Sequence, residues 1–261
     1  MAMTTIVAPA PSAAHSDQLS GDTVATNART APADLPEEYL WTGGGQPYIV
    51  CAFYTPNYLP QINSLKASLE AQGINHFLKR YEPRGGWEAN TRMKPVFIDY
   101  CLEKFKDTDI VYLDADAVVR KPLAAFANMT SDVTMLFHPT FEYGRWYLRI
   151  SAGTVAVRNT EGGRRFAKLW AGGEAKAGRT TVDEDMVYMA FADMAGISIT
   201  VLPPDYYKIF DAPGTDPTIE HFQASRGQPK IRKRRRRALQ IAAWSAVVLA
   251  LATLALWVTI R

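Results

Sequence analysis

The sequence predicts a doubly wound α/β domain, on three observations. Short apolar runs alternate with stretches of helical period, the run at 110–113 has no polar alternation, and two acids follow that run directly. Taken in order, PYIVCAFYT (47–55) reads as a strand, and LPQINSLKASLEAQG carries Ile62, Leu65 and Leu69 at helical spacing before Gly73, a natural stop. INHFLKRY is a second strand, and KPVFIDYCLEKF is a helix with Pro95 in its first turn, where a missing N–H costs nothing. DIVYLDAD is a third strand, continuous in apolar character as in a parallel sheet covered on both faces. DVTMLFH, ISAGTVAVRN and GISITVLP are further strands, with helices around GGRRFAKLW and DEDMVYMAFADM. In such a fold ligands bind beyond the carboxyl ends of the strands.

The two ends of the chain differ from this body. Residues 1–35 are rich in Ala, Thr, Ser and Pro without an apolar period, which predicts a disordered arm. They also lack the basic start and continuous apolar core of a signal peptide. At the other end, 238–260 contains no charge and as a helix would extend roughly 34 Å, enough for a hydrocarbon core of ~30 Å. KIRKRRRR (230–237) flanks it on one side and Arg261 on the other, so the positive-inside rule places residues 1–237 in the cytoplasm, tethered by a single carboxy-terminal anchor. The basic run then fixes topology and touches anionic membrane lipid. With that run and Arg261 set aside, 21 Lys and Arg face 26 Asp and Glu, so the body is mildly acidic and nucleic acid is not an expected partner. Cys51 and Cys101 lack metal-ligand spacing and read as buried apolar residues.

The candidate chemistry begins at IVYLDAD. Asp114 and Asp116, separated only by the small Ala115, end a buried strand on two like charges, which resist burial unless a cation sits with them. In an extended chain both would point to one side, offering two oxygens to a hard divalent ion, Mn²⁺ or Mg²⁺. Such an ion also neutralises a diphosphate.

IVYLDADAVV resembles the D-x-D strand of GT-A nucleotide-diphospho-sugar glycosyltransferases, and the wider pattern is similar to the group related to family 8. The likeness covers 46–228 and its pieces arrive in the family's order: FYTPNYLPQINSLKASL, NTRMKPVFI, the D-x-D strand, SAGTVAVRNT, VDEDMVYMAF and IEHFQASR. The resemblance implies a Rossmann-like GT-A domain in which Asp114, Asp116 and His221 hold Mn²⁺, imidazole being more acceptable to Mn²⁺ than to Mg²⁺. It also implies that Tyr54 borders the base of the donor, that Lys94 and Arg226 contact its phosphates, and that Ala115 lies against the bound nucleotide. Gly153 would admit backbone close to the sugar. Asp183 and Glu184, which also suit the first turn of a helix electrostatically, would face the donor sugar and acceptor, either one a candidate base. RGGWEAN (84–90) and EYGRWYLR (142–149) read as loops near the site, lids or acceptor walls.

The function implied is transfer of a sugar from a nucleotide-diphospho-sugar, a UDP-sugar foremost, to a hydroxyl of a lipid-linked or envelope glycan, with family 8 favouring retention of configuration. Two other readings share the features. A haloacid-dehalogenase-type phosphatase also ends its nucleophile strand in D-x-D, but here two α/β units precede Asp114. A membrane-tethered scaffold with a degenerate site is the non-enzymatic alternative.

Overall fold

The computed structural model describes residues 34–142, 144–214 and 216–228, together with 238–241, 244 and 245. Its elements run β1 (Glu38–Trp41), β2 (Tyr48–Tyr54), α1 (Leu59–Ala71), β3 (His76–Arg80), α2 (Trp87–Thr91), α3 (Met93–Lys104), β4 (Asp109–Leu113), β5 (Ala117–Val119), β6 (Val133–Glu142), β7 (Arg145–Val157), α4 (Glu161–Gly172), α5 (Asp183–Ala190), β8 (Ile199–Val201), β9 (Lys208–Ile209) and β10 (Ile219–His221).

Seven strands form one sheet in the order β1-β3-β2-β4-β7-β6-β8. Strand residues alternate between its faces, so a strand covered on both sides must be apolar throughout. β2 and β4 obey this: Ile49, Cys51, Ile110 and Tyr112 enter one core, while Val50, Ala52, Val111 and Leu113 enter the other. Phe97 and Ile98 of α3, Phe166 and Trp170 of α4, and Met186 of α5 fill the first core. Ile62, Leu65 and Leu69 of α1 fill the second. Both cysteines are free and buried, as their apolar context predicts.

The sheet departs from the expected parallel pattern in its second half. β3, β2 and β4 are mutually parallel, with α1 and α3 as crossovers, but β7 pairs antiparallel with both β4 and β6. β6 ends at Glu142 and β7 begins at Arg145, and two intervening residues can join only antiparallel strands. Gly144 supplies the positive φ of +76° that this turn needs. EYGRWYLR is therefore the tip and outer strand of a hairpin and not a loop, and Trp87–Thr91 of the other expected loop is the short helix α2.

A second, three-stranded sheet has the order β5-β10-β9. Its importance is positional. β5 follows the two acids immediately, and β10 pairs antiparallel with it so that His221 lies opposite Ala117. Thus a histidine more than a hundred residues downstream is delivered beside Asp116.

The expected arm, apart from its last two residues, and most of the expected 238–260 span lie outside the described residues. Ala238–Ile241, Trp244 and Ser245 are helical and exposed. No helix among the described residues is long and apolar enough to cross a membrane.

Candidate active site

The carboxyl end of β4 opens into a cleft of about 420 Å³, between the segment after β2, the start of α3, the middle of β7, the start of α5, and β10. The D-x-D triplet is not extended there, as the sequence predicted, but turns. The Ala117 N–H donates to the Asp114 carbonyl at 2.9 Å, and the Asp114 N–H donates to the Gly153 carbonyl at 2.8 Å. The turn is what brings the acids together, since a strand would have spaced them by two residues' rise. One ligand atom from each of Asp114, Asp116 and His221 lies within 4.8 Å of the others.

Three observations test whether these residues fit a divalent ion. The donor set, two carboxylates and an imidazole, suits Mn²⁺. The imidazole is in the right state: burial drives His221 down to about 4, so it is neutral at pH 7. Its tautomer follows from its neighbour, because the Thr154 hydroxyl donates to the Tyr206 carbonyl at 3.1 Å and so accepts from Nε2 at 2.9 Å, leaving the Nδ1 lone pair bare. Finally, burial and then the Asp114 carboxylate push Asp116 up to about 6, a repulsion that a cation between the two acids would relieve. The residues fit the ion.

Gly153 belongs to the same cradle. A Cβ placed on it would sit 2.6 Å from Tyr207 Cε2, 2.9 Å from Asp114 Oδ2 and 3.1 Å from His221 Cε1. Backbone alone can pass there.

Lys94 and the two acids of α5 form a second cluster, and here the sequence expectation changes. The Lys94 ammonium is buried and donates to Asp114 Oδ1 at 3.0 Å, Asp183 Oδ2 at 2.5 Å and the Ala152 carbonyl at 2.9 Å. Burial disfavours its charge, but the two carboxylates outweigh burial and hold it protonated. With all three protons committed, Lys94 positions Asp114, and it also lines the cleft. Asp183 is likewise buried against Lys94, with its carbonyl taking the Trp170 indole N–H at 2.8 Å, so it anchors α5 while lining the cleft. Glu184 lines the cleft too but makes no ion pair among the described residues; it accepts from the Ala152 N–H at 3.3 Å and is pushed up to about 7 by burial and then by Asp183.

Of the other expected site residues, Tyr54 and Ala115 line the cleft. The Tyr54 hydroxyl is buried with no hydrogen-bond partner among the described residues. Arg226 is not among the residues lining the cleft; its guanidinium pairs with Asp211 at the surface, Nη2 to Oδ1 at 3.0 Å. The structure adds Thr55, Tyr58 and Tyr112 from the strand ends, and Tyr207, Gln223 and Gln228 from the chain around β10. Tyr112 donates its hydroxyl to Asp114 Oδ1 at 3.0 Å, and the Tyr207 ring lies 4.4 Å from that of His221. Their place in apolar or turn-like stretches gave no signal in the sequence. Trp87, Asn90 and Arg149 bring both expected walls, RGGWEAN and EYGRWYLR, to the cleft.

No family model matches the chain and no curated protein sequence matches it. Solved structures do. A glycosyltransferase involved in glycosylation of the major capsid of PBCV-1 has a TM-score of 0.55 at 18% identity, over 74% of this chain and 98% of that one. The apo-form glycosyltransferase GlyE of Streptococcus pneumoniae TIGR4 has a TM-score of 0.49 at 14% identity, over 69% of this chain and 55% of that one. The narrower likeness to family 8 rests on the sequence motifs alone. From the first of these structures, together with the sheet order and the site at the end of β4, the chain has the GT-A-like α/β fold of a glycosyltransferase.

Proposed function

We propose that the chain is a metal-dependent glycosyltransferase that moves a sugar from a UDP-sugar to a hydroxyl of a glycan or glycolipid acceptor. The observation that carries this is the convergence of Asp114, Asp116 and His221 within 4.8 Å at the end of β4, on a glycosyltransferase fold. Mn²⁺ held by those three side chains would neutralise the diphosphate and act as a Lewis acid while the anomeric C–O bond breaks.

The chain's own residues do the rest. Lys94 fixes one carboxylate of the set through a buried ion pair, and Tyr112 orients the same carboxylate from the other side. The Tyr54 hydroxyl, without a hydrogen-bond partner among the described residues, would take up a hydrogen bond with the donor's base or ribose. Gly153, having no side chain, lets Tyr207, Asp114 and His221 close around it. Glu184, with a carboxyl near 7, is suited to exchange a proton with the acceptor hydroxyl, whose nucleophilicity rises as that proton leaves. Retention of configuration follows the family 8 resemblance.

The carboxy-terminal segment extends the proposal to location. The charge-free 238–260 behind seven cations would hold the cleft at the cytoplasmic face of a membrane, where a lipid-linked or envelope glycan is the natural acceptor. Protease added to sealed inside-out vesicles should then digest the body.

The central test is calorimetric titration of UDP into the protein with Mn²⁺ or with EDTA, followed by assay of UDP release from UDP-sugars. Metal-dependent UDP binding and turnover are expected. Equal binding in EDTA, or release of inorganic phosphate from a generic phosphoester, overturns the reading, the second in favour of a phosphatase; binding without turnover marks a degenerate site.

A further inference from the structure

The β6–β7 hairpin outruns the sheet that carries it. β8 pairs with β6 only over Val133–Met135, and β4 pairs with β7 only over Thr154–Val157. Beyond that, the register sorts the hairpin into two faces, because directly opposed residues share a side. Phe141 opposes Trp146 and Pro139 opposes Leu148 on one face; Thr140 opposes Tyr147 and His138 opposes Arg149 on the other.

The first face is apolar and bare. Phe141 is 59% exposed, Trp146 70% and Leu148 57%, and the Phe141 and Trp146 rings lie 5.3 Å apart. Tyr188 of α5 braces this strand, its hydroxyl donating to the Leu148 carbonyl at 2.8 Å and accepting from the Ile150 N–H at 2.9 Å. Single exposed apolar residues need no explanation, but a contiguous set on a protruding arm marks a contact surface.

Placement identifies the occupant. Arg149 on the hairpin's polar face and Gln228, the last described residue before the basic run, line the same cleft. The ten residues from Gln228 to Ala238 span at most about 35 Å. Any bilayer that receives 238–260 is therefore within reach of the hairpin. Trp and Phe on one face with Arg145 on the other is also the composition of a segment lying in the headgroup region, apolar side down.

We propose that the apolar face of the β6–β7 hairpin seats in the lipid bilayer interface, with the polar face that carries Arg149 turned away from the lipid. This rests on the anchored reading above. It adds a second membrane contact, which fixes orientation where a flexible tether would fix only distance.

The test uses the full chain reconstituted in vesicles of phosphatidylcholine and phosphatidylglycerol, with single nitroxide labels at Leu148→Cys, Arg145→Cys and Leu249→Cys. Cys51 and Cys101 are fully buried, so the introduced thiol takes the label. Labels at 148 and 249 should be relaxed by oxygen, which concentrates in lipid, and the label at 145 by an aqueous nickel chelate. A lipidic 249 with an aqueous 148 overturns the inference while leaving the anchor standing; an aqueous 249 removes the anchor and the inference together. Spin–spin broadening at 148 that disappears on dilution with unlabelled chain assigns the face to a second copy and likewise overturns it. Trp146→Cys repeats the reading should Leu148→Cys fold poorly.

Discussion

Two charged clusters meet at Asp114, and they differ in whether the chain supplies its own counter-charge. On one side Lys94 places a buried ammonium between Asp114 and Asp183. On the other, Asp116 and His221 approach Asp114, Asp116 makes no ion pair among the described residues, and burial and then the Asp114 carboxylate raise it to about 6. The first cluster is complete as folded and holds structure. On the proposed reading the second is completed by a cation, which would make it a site.

Breaking one cluster at a time separates the two roles. Asp116→Asn removes a ligand and also relieves the like-charge pair. Sugar transfer in Mn²⁺ should fall by about 10²–10³-fold, the scale of losing one preorganised stabiliser of developing charge, while the melting temperature in EDTA stays level or rises. Lys94→Met does the converse to stability. It strands Asp183 and Asp114 against each other in a buried pocket, and the cost should be about 3–5 kcal/mol in a denaturant titration. If Asp116→Asn instead lowered the metal-free stability as much as Lys94→Met, the distinction between the clusters would fail.

Much of the first half of this architecture was legible in the sequence, and for a local reason. β2, α1, α3 and β4 each show their own period or apolar run, and Asp114 and Asp116 announce themselves by standing at the end of one. His221 was legible only through its motif, since β10 is three residues long and β5, its partner, is no longer. The roles of Lys94 and Arg226 were not legible at all, because each depends on a carboxylate brought in from another element, Asp183 from α5 and Asp211 from beyond β9. The hairpin was misread as a loop for a different reason. Its period-two pairs, Pro139 and Phe141 on one strand and Trp146 and Leu148 on the other, lack the burial that normally gives such a pattern its contrast.

Gly153→Ala tests how tightly the cation-dependent cluster is built. The added methyl would meet Tyr207, Asp114 and His221 at 2.6–3.1 Å, so the ligands must spread although none is removed. A loss of about 10–100-fold in Mn²⁺ affinity is the scale for displacing groups that orient ligands, with the melting temperature in EDTA little changed. Unaltered Mn²⁺ binding would mean that the three side chains do not converge on one ion.

The smallest effect bears on Glu184, which borders both clusters and belongs to neither. Burial and then Asp183 raise its carboxyl from an ordinary 4.5 to about 7. Between those values the folded chain holds a proton that the unfolded chain has released, so the stability this group contributes is full below pH 4.5 and is lost as pH rises through about 7. Glu184→Gln keeps the hydrogen-bonding shape without the titration. The difference in denaturation midpoint between the two proteins in EDTA should therefore be smallest near pH 5 and shift in favour of the glutamine variant by pH 8, with Asp116 and His221 cancelling because both proteins share them. A flat difference would place the Glu184 carboxylate in water, and with it out of reach of a proton held for the acceptor.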